Sequence, residues 1–166
     1  MKNFYLLLVT TLLFAAVAIS NTGCKPETVI KIDTLKGASG TDEMSFKLDG
    51  GSKIASSVIG QQTTVGETAT TQITGNIGAL GTSTEGLTII IKGDLAIKTY
   101  PIDDRTTMGV IYHAPDATES HFSQSGSITV TSISGNRVIG TFNCTVKTLD
   151  LSSTKEITDG KFSAEL

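Results

Sequence analysis

The chain has 166 residues and a formal net charge of −3, and charged residues make up 17% of it. A mildly negative chain is a poor partner for nucleic acid or for an anionic bilayer surface, so neither is expected. Low charge, combined with many Thr, Ser and Gly residues, favours β-structure on an exported protein over a helical enzyme.

The first residues of the chain predict export. A short positively charged start at residues 1–3 is followed by the almost continuously apolar residues 4–19, and small or polar residues then lead to Gly23 and Cys24. The apolar run is shorter than a typical membrane-spanning helix and is flanked differently. Because the thiol of a cysteine at such a cleavage site can carry a diacylglycerol, residues 1–23 are predicted to be a lipoprotein signal peptide with a helical core. Cys24 is then the lipidated first residue of the mature chain.

Acylation at Cys24 would place the protein at a membrane. Each buried methylene of an acyl chain such as palmitate contributes about 0.8 kcal/mol, so several chains hold a protein on a bilayer almost permanently. We expect a lipid anchor in the cell envelope, in the outer rather than the inner membrane, with the domain facing the periplasm or the cell surface. The same residues are also compatible with a plain secretory signal or a membrane-anchoring helix.

Residues 24–43 predict a flexible tether, because they end in a run of Gly, Ser and Thr. Residues 44–166 predict a single β-domain, and its clearest part is a hairpin. Apolar and polar residues alternate along residues 127–133 and again along 137–146, the period-two pattern of strands with one buried face. The Ser134-Gly135-Asn136 turn between them suits the positive φ angles of a tight hairpin.

Further strands are predicted around this hairpin, at residues 44–48, 53–59, 70–74, 86–93, 108–113 and 160–166. Residues 75–81 and 148–158 read as loops because they are rich in glycine or in polar residues. No convincing 3.6-residue period appears after the signal peptide. About eight short strands at regular spacing predict an all-β fold, either an antiparallel β-sandwich or a partly closed barrel.

The order of these features resembles a known family. The matching pieces are the strand and turn at residues 44–50, the strand at 87–89, Ser-Gly-Ser-Ile-Thr-Val at 125–130, Gly-Thr-Phe at 140–142 and Ile-Thr-Asp-Gly-Lys-Phe at 157–162. They are similar to those of small lipoproteins of Bacteroidota classed as a domain of unknown function, with Asp159 where Asn is expected. The resemblance covers about residues 44–166. It implies a β-sandwich-like fold and an envelope address, and it implies no catalytic residues.

A second resemblance concerns modification of the tether. Asp33-Thr34-Leu35 resembles the O-glycosylation signal of Bacteroidota, which makes Thr34 a candidate glycosylation site.

Few residues offer catalytic or metal-binding chemistry. His113 and His121 are the only histidines, and Asp103 and Asp104 are adjacent carboxylates. The spacing of the two histidines matches no standard metal site, and neighbouring carboxylates in an extended loop usually diverge. We therefore predict no enzyme activity, no cofactor and no metal. An envelope hydrolase or metal-binding protein that uses these four residues is the alternative.

Other side chains at apolar-face positions read as core. Cys144 has no disulfide partner if Cys24 is acylated, and it is predicted to be a small buried hydrophobe. Four phenylalanines are predicted core residues: Phe46, Phe122, Phe142 and Phe162.

The predicted function is a binding or structural module of the envelope. Sheet faces that bind sugars normally expose aromatic side chains, and the candidates for ligand contact are Tyr100, Tyr112 and His113. The expected partners are the membrane, through the N-terminal lipid, and an envelope protein or glycan. A third alternative is edge-to-edge assembly with copies or pilin-like subunits through residues 161–166.

Overall fold

The computed structural model describes residues 40–78, 85–103, 108–115 and 119–166. Within these ranges there are nine strands: β1 (Glu43–Leu48), β2 (Gly51–Val65), β3 (Thr68–Ile77), β4 (Gly86–Lys92), β5 (Thr99–Ile102), β6 (Gly109–His113), β7 (Ser120–Ser134), β8 (Arg137–Lys147) and β9 (Thr154–Glu165). The predicted all-β fold is confirmed. The signal-peptide region, Cys24, Thr34 and Asp104 lie outside the described residues. No helix in the described ranges is long and apolar enough to cross a membrane.

The strands form one sheet that closes on itself. Eight of them follow one another in the order β1-β2-β3-β4-β6-β7-β8-β9, β9 pairs with β1, and every neighbouring pair is antiparallel. The extra strand β5 pairs with residues 126–129 of β7. It uses the same edge of β7 as β6, which pairs with residues 120–122 nearer the start of that strand. Of the two predicted architectures, the structure is the barrel, because β7 joins β6 on one edge and β8 on the other.

Irregular pairing accompanies this closure. Register shifts interrupt the β1–β9, β2–β3, β7–β8 and β8–β9 ladders. Such bulges bend a strand and increase its local twist, which lets a sheet curl into a barrel. Asp159 lies at one of these shifts with a φ angle of 53°, a left-handed conformation that Asp and Asn adopt more readily than most residues.

Two segments predicted as loops contain strand residues. Residues 75–77 belong to β3, and β9 already begins at Thr154. Gly75 faces the interior, where an added Cβ would lie 2.7 Å from Met44 Sδ. This glycine therefore allows close packing against a neighbouring side chain, whereas the sequence predicted that it belongs to a loop.

The predicted exposed edge at residues 161–166 is also wrong. Lys161, Phe162 and Ser163 each pair with β8 on one side and with β1 on the other. The last strand is thus an interior member of the closed sheet.

Side chains fill the interior of the barrel. Every strand contributes at least one buried apolar side chain to a single core. Within this core the ring of Phe142 packs between two others, 6.1 Å from Phe46 and 6.4 Å from Phe162 between ring centroids. The thiol of Cys144 is free and buried, and burial raises its pKa to about 12. The prediction of core residues is confirmed for Phe46, Phe142, Phe162 and Cys144.

The barrel has two different ends. Gly40, Leu166 and the β2–β3 and β7–β8 turns lie at one end, which we call the terminal end. The opposite end, called the far end, carries the β1–β2 turn and the connections that follow β3, β6 and β8. At the terminal end Arg137 donates to Asp42 Oδ1 and to Ser163 Oγ, both at 2.9 Å. These bonds fix residues 40–42 against β8 and β9, so the chain enters the barrel here.

Candidate functional site

The structure separates the three residues predicted to contact a ligand. Tyr100 and Tyr112 are 3% and 2% exposed and point into the barrel. The ring of His113 lies on the outer face, with Nδ1 2.9 Å from Ser120 Oγ. The Tyr100 hydroxyl accepts a hydrogen bond from the Ala96 N–H at 2.7 Å and so ties down the loop that follows β4. Tyr100, Tyr112 and His113 therefore share no surface.

The two histidines do not converge either. Tyr112 is the register partner of His121, and His113 is the partner of Ser120. Because side chains alternate along a strand, His121 points inward and His113 outward. Asp103 is exposed at the end of β5. Among the described residues there is no group of three or more His, Cys, Asp and Glu side chains that could hold a metal ion.

A polar cluster lies inside the barrel at the far end, and we define it as Lys53, Glu85, Tyr112, His121 and Ser153. The Tyr112 hydroxyl donates to Glu85 Oε1 over 2.8 Å, and Lys53 Nζ lies 2.7 Å from the same oxygen. Glu85 is almost fully buried, so this pairing compensates a carboxylate that burial would otherwise destabilise. Burial, followed by the hydrogen bond to Glu85, raises the pKa of Tyr112 well above 10.0 and keeps the phenol a donor.

His121 is the most buried titratable member of the polar cluster. It has no exposed surface, and its ring centroid lies 5.9 Å from that of Tyr112. Nε2 is 3.0 Å from Ser153 Oγ, while Nδ1 has no hydrogen-bond partner among the described residues. The loop after β8 positions Ser153, because the Ser153 N–H donates to Thr148 Oγ1 and the Thr148 N–H donates to the Ser153 carbonyl.

Burial is the main reason why the pKa of His121 lies below its ordinary value of 6.5. The positive charge of Lys155 lowers it further, and the negative charges of Glu119 and Asp49 act in the opposite direction. The imidazole is therefore neutral at pH 7.

Simple alternation misplaces His121. Counting back by twos from the inward-facing Ile128 puts Phe122 inside and His121 outside. A register shift between Ser123 and Ser125 reverses the phase, so His121 is buried and Phe122 is half-buried on the outer face. The prediction of Phe122 as a core residue is therefore wrong. The nearest local signal is the glycine that follows, Gly126, whose φ angle of 134° marks irregular backbone.

The two rings of the polar cluster are closed off from solvent, whereas Lys53 at its margin keeps 29% of its side chain exposed. Both rings at its centre are at most 2% exposed, and the hydrogen bonds described above join side chains from β2, β6 and β7 to the loops before β4 and β9. This arrangement closes the far end of the barrel and makes its stability depend on the protonation of one imidazole.

A shallow groove of about 620 Å³ crosses the outer face of β2, β1, β9 and β8, and we call it the outer groove. The strand register brings Ser45, Ile54, Lys161 and Thr141 level with one another across it. The outward-facing side chains that line it are Ser45, Lys47, Ser52, Ile54, Thr141, Asn143, Asp159 and Lys161. The outer groove thus combines polar side chains with apolar surface, which comes from Ile54 and from atoms of Phe46 and Phe142 that also line it.

Charges in the outer groove are partly paired. Lys47 Nζ lies 2.8 Å from Asp159 Oδ2, and both side chains are well exposed, so the pair adds little to stability. The hydrogen bond between them, followed by their mutual attraction, raises the pKa of Lys47 and lowers the pKa of Asp159. Lys161 adds a second cation and Asn143 an amide, so the groove offers hydrogen-bond donors and acceptors side by side.

Comparison of the chain with protein-family models, with curated proteins and with solved structures finds no match. The resemblance to lipoproteins of Bacteroidota stays a prediction from the sequence. No relative supplies a role for the polar cluster or for the outer groove.

Protonation of His121 is expected to destabilise the barrel. Because folding lowers its pKa, the unfolded chain takes up a proton at higher pH than the folded chain does. The contribution of neutral His121 to the free energy of unfolding is therefore complete above pH 6.5. It falls as the pH drops from 6.5 toward the pKa of His121 in the folded state. His121→Gln should flatten this decline in chemical denaturation measured between about pH 8 and about pH 5.

The matched control is His113→Gln, which changes the histidine on the outer face and should keep the wild-type slope between those pH values. An unchanged slope in His121→Gln would contradict the assignment of the decline to the polar cluster.

Proposed function

We propose that this protein is a lipid-anchored, non-enzymatic binding module of the cell envelope whose outer groove contacts an envelope glycan or protein. The observation that carries the proposal is the filled interior, to which every strand contributes buried apolar side chains. A barrel packed in this way leaves the outer surface for recognition.

The chemistry of the outer groove suits a neutral, hydroxyl-rich or amide-rich partner. Its hydroxyls and the Asn143 amide can both donate and accept hydrogen bonds, which sugar hydroxyls and peptide groups require. Lys161 and the Lys47–Asp159 pair place both signs of charge along the groove. Ile54 is 74% exposed and adds an apolar contact. The groove contains no exposed aromatic ring, so recognition would depend on hydrogen bonds rather than stacking.

The proposed anchor is compatible with the position of the groove. Residues 40–42 are fixed at the terminal end, and the 16 peptide steps between Cys24 and Gly40 reach at most about 55 Å when extended. The outer groove lies on the side of the barrel, so a domain held by such a tether keeps it accessible.

The anchor predicts a specific chemical form of the protein. Mass spectrometry of the mature chain, extracted from envelope membranes, should find Cys24 as the first residue, carrying acyl chains. Cys24→Ser should block acylation and leave no acylated form to detect. An unmodified mature N-terminus, or a leader still attached in the wild-type protein, would contradict the anchor.

Reversing the charge of Lys161 should weaken binding through the outer groove. In the full chain held in membranes, Lys161→Glu is expected to reduce affinity for the envelope partner at least about tenfold, or about 1.4 kcal/mol. The assay compares labelled glycan fragments with labelled envelope proteins, so the class of partner is read directly.

Lys92→Glu is the matched control, because it makes the same charge change at an exposed position on β4, away from the outer groove. It should keep wild-type affinity. Equal binding by both variants, or no binding of either class by the wild type, would contradict the proposed role of the groove.

A further inference from the structure

β2 has an edge that β1 leaves uncovered. β1 pairs only with residues 51–54, although β2 is 15 residues long. β9 ends against Gly60, where an added Cβ would overlap the Glu165 carbonyl oxygen. Beyond this point residues 61–65 pair with β3 on one side. On the other side they pair with no strand in the part of the chain that the structure describes, and we call residues 61–65 the free edge.

The free edge lacks the features that usually prevent strands from pairing. Natural sheets protect open edges with charged side chains, with proline or with short strands. Residues 54–65 contain neither a charged residue nor a proline. The contrast is β5, which pairs only with β7 among the described strands, is four residues long and contains Pro101.

The same strand also exposes apolar side chains. Ile54, Ile59 and Val65 are 74%, 60% and 67% exposed. They account for three of the seven large hydrophobic side chains that are exposed among the described residues. β2 therefore combines unpaired backbone groups with apolar surface, as expected of a strand that adds to another sheet.

We infer that the free edge pairs with the free edge of a second copy of this chain. A two-fold antiparallel pair places each residue of the free edge opposite a residue of the same strand in the other copy, so a charge at its central residue would face a like charge. The uncharged run at residues 54–65 removes that repulsion. Overlap of all five residues puts Thr63 opposite Thr63 of the other copy and Gln61 opposite Val65. β-branched side chains form favourable cross-strand pairs in such positions.

The position of the free edge is compatible with two anchored copies. It lies at the terminal end, next to the β2–β3 turn, and the chain also enters the barrel at this end. An antiparallel pair brings the two terminal ends together and points the two barrels in opposite directions, so both tethers leave near the junction. Because the two edges overlap over only five residues, the dimer is expected to have a lower affinity than a dimer with a standard-size interface and to dissociate readily.

Cysteine cross-linking tests the pairing directly. Thr63→Cys, in the full chain in its membrane, should give a covalent dimer with a short bismaleimide, because directly opposed Cβ atoms lie about 5 Å apart. The control is Thr70→Cys on β3, the register partner of Thr63 on the same outer face, whose strand has neighbours on both sides. Cys144 is buried, so it does not compete for the reagent.

Charged substitutions provide the second readout. In the double variant that carries both Thr63→Cys and Gln61→Lys, the yield of cross-linked dimer should be at least about tenfold lower than with Thr63→Cys alone. The reason is that lysine on a strand edge opposes pairing. Gln72→Lys, on the register partner of Gln61 within β3, should leave the yield unchanged.

A dimer with Thr63→Cys but not with Thr70→Cys, sensitive to Gln61→Lys only, supports the inference. No dimer with Thr63→Cys, equal yields from both cysteines, or linkage of Thr63→Cys to a different protein would overturn it. Because neither strand position lies in the outer groove, failure here leaves the proposed binding role separately testable.

Discussion

Closure of one sheet is the constraint on which the rest of this structure depends. β7 pairs with β6 on one edge and with β8 on the other, and β9 pairs with β1. An eight-stranded barrel is just wide enough for side chains to fill, and the ring of Phe142 packs between those of Phe46 and Phe162 in its core. A filled interior leaves the outer surface for the recognition that we propose. It also obliges the polar side chains that do point inward to pair with one another at the far end.

The hairpin of β7 and β8 shows how much the sequence could predict. Period-two alternation and the Gly135-Asn136 turn locate it correctly, and the alternation also identifies Cys144 as buried. It fails at His121, because the bulge after Ser123 changes which face the strand presents, and alternation carries no information about bulges. The loop predicted from glycine content at residues 75–77 is wrong for another reason: Gly75 allows the close approach of Met44, a contact between residues far apart in sequence. The outer groove has no sequence signal, since it is formed by register across four strands.

The two ends of the barrel are closed by different means. At the far end the polar cluster buries Glu85 and His121 and compensates them with Lys53, Tyr112 and Ser153. At the terminal end Arg137 holds residues 40–42, and this diversion of the chain over β9 leaves the last part of β2 without a neighbour in the described sheet. The free edge is therefore a consequence of the way the chain enters the barrel. Its uncharged composition determines which partner it can accept.

The most direct test of this account is whether the sheet closes in solution. In the full chain, nuclear Overhauser effects should connect β6 to β7 through Tyr112 and His121, β7 to β8 through Ile128 and Phe142, and β9 to β1 through Phe162 and Met44. All three sets of nuclear Overhauser effects are expected from one folded species, in which backbone relaxation is uniform throughout the barrel. Absence of any one set, while the other two persist, would mean an open or two-layered sheet and would contradict both the filled interior and the proposals that depend on it.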